Sequence, residues 1–272
     1  MPAIPADRHW PGLPERDAAR VAELTPACRT DGFGEDARKV LIAVTDRVRA
    51  EMRSGELTEA LAVLHHLRAG LDSLHPSALV TRRGIGGLFD SRKRRLKNFR
   101  LRFAEATRTL SESLDDLQVR IGAMTRRSSV MDRLWADMRR AIVEADAFVA
   151  AAFTDAPTTE IGPGHSGHRL ADARDAGLRV LPQVRVAQNA DGLAAHRLKL
   201  ACDAMLEWHH EWSAGLGVGP KRAKVSRPDN DRLATSRDTV LAMLDAATRE
   251  VDVARQRRLE ADARIEAARR AI

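Results

Sequence analysis

A single apolar frame spans the middle of this sequence. Phe89, Leu96, Phe103, Leu110, Leu117, Met124, Met131, Met138, Ala145 and Ala152 recur at seven-residue spacing with no proline among them. Phe99 and Ala106 share the seam early, and Leu114, Ile121, Trp135, Ile142 and Val149 share it later. A helix turns once in about 3.6 residues, so a seven-residue repeat keeps a stripe on one side of it. A strand alternates faces at every residue and would scatter the same stripe over both. The frame predicts one long rod-like helix packed on partner helices, with "RRSSV" at 126–130 as its weakest point and the place for a kink.

Helical spacing recurs on both sides of that frame. Val40, Leu41, Val44, Val48 and Met52 form an i, i+4 stripe that Ser54-Gly55 should stop. A second stripe, Leu57, Leu61, Leu64, Leu67, Leu71 and Leu74, ends before Pro76. The short link between the two predicts an αα-hairpin. Helical pattern resumes near Leu170 and runs to about Trp212, with Pro182 and Gly192 as local distortions. The last heptad is Leu233, Val240, Ala247, Ala254, Ala261 and Ala268, interleaved with Leu244, Val251, Ile265 and Ile272. Alanine along one seam lets helices approach closely. Aromatic residues make up only 4% of the chain and tyrosine is absent, which disfavours a β-sandwich or barrel. The expected fold is all-α: an elongated helical bundle with long coiled-coil-like helices and an N-terminal αα-hairpin. Pro2, Pro5, Pro11, Pro14 and Pro26 mark residues 1–31 as a disordered or loosely held leader. Residues 32–82 read as the hairpin with its linker, and 83–272 as the bundle.

The chain has 272 residues and a formal net charge of +7, which favours anionic partners: nucleic acid, phospholipid headgroups or acidic proteins. Its two cysteines, Cys28 and Cys202, stand far apart and form neither a disulfide framework nor a CxxC site. No apolar run is long enough to span a bilayer, and "MPAIPADRHWPGLPERD" lacks the apolar core of a signal peptide. A cytoplasmic protein, peripheral to the inner membrane face where it meets lipid, is the expectation.

Chemistry-bearing patterns are few. "GIGG" at 84–87 lacks the Lys and hydroxyl of a phosphate-binding P-loop and reads as a hinge. Arg92, Lys93, Arg94, Arg95, Lys97, Arg100 and Arg102 follow it, with Phe89, Leu96, Phe99 and Phe103 gathered on one helix side. The first reading packs that apolar side in the bundle and leaves the cations in solvent. A second sets the Leu88-Phe89 end into an anionic membrane with the cations on headgroups. Nucleic acid ranks last, because no recognised DNA or RNA module surrounds the patch. His65-His66, His165, His168, His209 and His210 have no converging third donor and read as structural or surface residues, although Glu207 and Glu211 share a helix face. No nucleophile–base set stands out, and redox chemistry would want a dithiol or a cofactor cradle that the sequence lacks. No enzymatic activity, metal or cofactor is expected.

Several segments in order resemble the TelA-like family, the tellurite or toxic-anion resistance proteins. "DGFGEDARKVLIAVTDRVRAEMRSGELTEALAVLHHLRAGLDSLHPSAL" is similar to its opening hairpin, and "GIGGLFDSRKRRLKNFRLRFAEATRTLSESLDDL" to its hinge, cationic patch and long helix. "LPQVRVAQNADGLAAHRLKLACDAMLEWHHEW" resembles its most distinctive block, carried here by Pro182, Gln183, Arg185, Gln188, Asn189 and Trp208. The closing "VLAMLDAATREVDVARQRRLEADARIEAARRAI" resembles the last helix of the family. The likeness covers most of the chain from about Asp31 onward. It departs at the Gly/Pro-rich residues 213–231, which replace a longer helical section of larger members, and at "WHHEW". It implies a cytoplasmic helical scaffold or adaptor in resistance to tellurite or envelope stress, partnered by other proteins of that system, with no established reaction. The Gln188-Asn189 pair reads as seam amides that fix helix register in preference to a ligand site. Arg185 with Gln188 on one face is the oxyanion-binding alternative.

Overall fold

The structure is a computed structural model that describes residues 13, 16–80, 91–154, 166–218, 228–270 and 272. Among the described residues there are seven α-helices, two short 3-10 turns and no strand. The helices are α1 (Ala18–Leu24), α2 (Glu35–Met52), α3 (Glu56–Asp72), α4 (Arg92–Arg108), α5 (Leu110–Thr154), α6 (Ser166–Leu216) and α7 (Asn230–Arg269). The fold is an all-α helical bundle. The hinge at 84–87, Phe89 and His165 lie outside the described residues.

Every described residue of the seven-residue frame, from Leu96 to Ala152, is buried, while Ala106, Ile121 and Trp135 beside it are half-buried. The break in it falls at Thr109, between α4 and α5, and not at 126–130, which lies within an uninterrupted α5 of 45 residues. Thr107 turns its hydroxyl back to the Phe103 carbonyl at 2.8 Å, a bond that competes with the helix ladder and bends helices. Thr109 keeps near-helical dihedrals (φ −90°, ψ −2°), so the seven-residue register survives the break.

The chain forms two compact units. The first comprises Met1–Ser54, Arg127–Asn189 and Gln256–Ile272; the second comprises Gly55–Arg126 and Ala190–Arg255. The helices α5, α6 and α7 each contribute a stretch to both units. In the first, Leu41, Val44, Val48 and Met52 of α2 meet Met131, Met138 and Ile142 of α5, Val180 and Val184 of α6, and Ala261 and Ile265 of α7. Gly177 belongs to this core because a Cβ there would stand 2.9 Å from Ile142 and 3.1 Å from Leu41. The second unit packs Leu57, Leu64, Leu67 and Leu71 of α3 with Phe99 and Phe103 of α4, Leu117 of α5, Leu198 and Trp212 of α6, and Leu244 and Val251 of α7. Each fully buried Leu or Phe side chain contributes about 1.5–3 kcal/mol.

The helices of the expected hairpin are both present, but they bury their stripes in different cores, α2 in the first unit and α3 in the second. Gly55 also takes no left-handed turn: it has φ −85° and stands at the start of α3.

Residues 16–31, expected as a loose leader, are ordered by specific contacts. The Asp17 carboxylate accepts from the amides of Ala19 and Arg20 at 2.9 and 3.3 Å and so caps α1. Arg16 pairs with Asp146 at 2.8 Å, Arg20 with Glu144 at 2.6 Å, and Leu24 is buried. Gly34, at φ +75°, then starts α2 in a conformation that disfavours any side chain, and a Cβ there would collide with Leu170.

Arginines occupy places the apolar pattern passes over. Arg237 and Arg258 sit in the same seven-residue frame as Leu244, Val251 and Ile265, and both are buried. Their stems pack as apolar chain while their heads reach helix ends. Arg258 donates to the Glu51 carbonyl at 2.7 Å and to the Ser54 hydroxyl, at the end of α2. Arg237 donates to the Leu71 carbonyl at 3.2 Å and pairs with Asp72 at 3.3 Å, at the end of α3. A cation at these carbonyls adds a donor to the helix end and meets the negative end of the helix dipole.

Candidate anionic-surface site

α4 begins against its own electrostatics. Ser91 caps it by accepting from the Arg94 amide at 3.3 Å, and no acidic residue follows in the first turn. Arg92, Lys93, Arg94 and Arg95 instead stack positive charge on the positive end of the helix dipole, which opposes helix formation. Burial of Leu96, Phe99 and Phe103 offsets that cost.

The anchor beneath α4 is aromatic. Phe99 lies 5.9 Å from Trp212, and Phe103 lies 5.7 Å from Trp208 and 5.8 Å from Trp212 between ring centroids. Trp208 and Trp212 themselves stand 5.1 Å apart. The apolar side of the basic segment is thus packed in the bundle, the first of the three arrangements expected. Trp208, part of the block that carries the family resemblance, is one of these core residues and is 2% exposed.

The seven cations divide by position. Arg92, Lys93, Arg94, Lys97 and Arg102 are exposed, and Leu101 stands among them 60% exposed. Arg100 departs from the outward set: half-buried, it donates to the Leu216 carbonyl at 2.7 Å and caps the end of α6. Arg95 and Arg102 line an open groove of about 520 Å³ together with Asn98 and Phe99. Its other wall is Ser77, Ala78 and Val80, from the 3-10 turn Pro76–Leu79 and the residue after it. Sequence reading missed Asn98 and Ser77, because Pro76 registers there only as a helix stop.

The residues of the distinctive block on α6 do not converge on a cleft. Arg185 lies 4.3 Å from the Trp135 ring centroid, pairs with Asp132 at 2.6 Å and donates to the Gln188 side-chain carbonyl. That pairing holds the Asp132 carboxyl below its ordinary range, with Gln188 contributing second. Gln188 donates to the Ser128 hydroxyl at 2.9 Å and to its carbonyl at 3.1 Å, which ties α6 to Ser128 of α5. Asn189 and Pro182 are exposed, so the amide pair does not act together; Gln183 is the buried amide of the block.

Among the described residues no group of three or more His, Cys, Asp or Glu is placed to hold a metal ion. His65, His66 and His210 are exposed, and His168 packs edge-on to Phe153. His209 stacks on Phe103 at 5.8 Å, and burial, then the neighbouring His210, lowers its pKa. Glu211 turns to α7, accepting from Ser236 at 2.6 Å and Arg232 at 3.2 Å. Burial pushes the Cys202 thiol up to about 11, whereas Cys28 is half-exposed. A thiol-reactive dye near pH 8 is therefore expected to label Cys28 and to reach Cys202 only after denaturant is added. A thiol with a raised folded pKa favours the native state below its unfolded value, and that contribution fades as pH climbs towards 11. Equal labelling rates at both cysteines would refute this.

No helix among the described residues is long and apolar enough to cross a membrane. No protein-family model, curated protein or solved structure matches the chain.

Proposed function

We propose that this protein is a non-catalytic helical adaptor that docks on an anionic membrane surface through the outer face of α4. The observation that carries this reading is the split character of that helix. Its inner side is fixed by Leu96, Phe99 and Phe103, while Lys93, Arg94, Lys97 and Arg102 are exposed around Leu101, with exposed Arg92 at the start of the helix. Cations beside a protruding aliphatic side chain suit a lipid interface, where headgroups take the charge and the acyl boundary takes the leucine. The process, resistance to tellurite or envelope stress with other proteins of such a system, is supported by the family resemblance of the sequence. A cytoplasmic protein meeting the inner membrane face fits both.

Co-sedimentation with phosphatidylcholine vesicles, with and without phosphatidylglycerol, tests the docking. Wild type is expected to bind the anionic vesicles at low salt and to release at high salt. Each basic residue near such a surface contributes about 1 kcal/mol, so the neutralised triple variant K93Q/R94Q/K97Q should bind about a hundredfold more weakly. Indifference of wild type to vesicle charge, or binding to duplex DNA or RNA in place of vesicles, would defeat the reading. Reduction of tellurite by the purified chain without added thiol or cofactor would end its non-catalytic part.

A further inference from the structure

We infer that the groove between the Pro76–Leu79 turn and α4 binds a phosphate-type oxyanion between Arg95 and Arg102. The inference rests on the docking reading of α4 for the source of the anion, and names the chemical group that the same helix takes.

Arg95, Asn98 and Arg102 stand at i, i+3 and i+7, on one helical face. The two arginines are about 10.5 Å apart along the axis at about 1.5 Å per residue, a span two long side chains close from either end. Asn98 lies between them with an amide N–H₂, and Ser77 supplies a hydroxyl from the facing wall. Phe99, 3% exposed, and Val80 give the groove an apolar side, which strengthens charge-assisted hydrogen bonds made against it. Among the described residues no carboxylate lines the groove, and the sequence has no Asp or Glu from Ser91 to Ala104.

That donor set selects among anions. A carboxylate presents two coplanar oxygens and saturates one guanidinium fork. A phosphate monoester presents three oxygens in a tetrahedral array, enough to meet both arginines and the Asn98 amide together. A cavity of about 520 Å³ admits such a group with what it is attached to. The shared chemistry is therefore a terminal phosphate, whether free or on a lipid headgroup.

Phe99 lines the groove and touches Trp212, so tryptophan emission and calorimetry both read occupancy. Inorganic phosphate is titrated at constant ionic strength into the full chain and into R95Q, R102Q, N98A and R108Q, each first matched to wild type by circular dichroism. Arg108 is exposed in the last turn of α4 and does not line the groove, so R108Q is the charge control. A saturable response that weakens at least tenfold in R95Q and R102Q, and stays within twofold in R108Q, is the expected result. A parallel arm compares vesicles carrying phosphatidic acid with vesicles of equal charge carrying phosphatidylglycerol. Preference for phosphatidic acid that R102Q removes assigns the phosphate to lipid; saturation by inorganic phosphate with no such preference assigns it to a soluble ligand. Absence of both responses, or equal loss in R108Q and R102Q, overturns the site. If wild type ignores all vesicles yet binds phosphate, the docking reading falls and the groove stands. If vesicles bind but the groove variants change nothing, the reverse holds.

Discussion

Replacing Trp212 with alanine is expected to lower stability by about 4 kcal/mol, in the range found for aromatic-to-alanine changes in packed cores. Trp212 is 0% exposed, and its ring meets Phe99, Phe103 and Trp208 with centroids 5.9, 5.8 and 5.1 Å away. The loss has two parts, transfer of the indole out of water and the cavity left by neighbours that collapse only in part. W212F should retain most of the packing and lose less than half as much. Because α4 is held by this cluster, W212A should also speed tryptic cleavage at its exposed arginines and lysines before global unfolding. Urea unfolding followed by circular dichroism gives the first quantity and timed proteolysis the second. A loss below about 1 kcal/mol would mean that α4 is held by something other than these rings.

Asp146→Ala carries a comparable penalty for a different reason. Asp146 accepts from Arg174 and from Arg16, both at 2.8 Å, and the side chains of Asp146 and Arg174 are 12% and 6% exposed. Removing one member of a buried ion pair leaves an uncompensated charge and costs about 3–5 kcal/mol, more than the pair itself contributes. Arg174 keeps Asp175 at 2.8 Å, which places the expected loss near the lower end, about 3 kcal/mol. The double change D146L/R174M, which removes both charges, should recover much of that loss. The D146A protein should also release residues 16–31, so cleavage at Arg16 and Arg20 should quicken. If the double variant is no more stable than D146A, charge burial is not the cause.

These two sites differ in how readily the sequence gives them away. The seam from Leu96 to Ala152 is legible because spacing and burial are the same physical fact. The break at Thr109 is hidden, since a residue with near-helical dihedrals leaves the spacing intact, while the suspicious serines at 128 and 129 lie inside an unbroken helix. Proline counting misreads residues 16–31, whose order comes from Asp17 capping and from partners more than a hundred residues away. The two-unit division is largely invisible to linker composition because, beyond the Ser54-Gly55 boundary, core membership changes within α5, α6 and α7. At the candidate site, the cationic run is obvious, but Arg100 leaves it to serve the end of α6. Ser77 and Asn98 enter only through tertiary proximity.

Arg258, Arg237 and Arg100 each reach the final turn of another helix, those of α2, α3 and α6. Such contacts work as a length gauge. Sliding any of those three rods by one turn, about 5.4 Å, would keep most greasy surface covered yet strand a guanidinium and a set of carbonyls. Evolution can therefore vary the aliphatic filling of these helices far more freely than their residue count, and a single-residue insertion in α2 or α3 should harm the protein more than several conservative swaps.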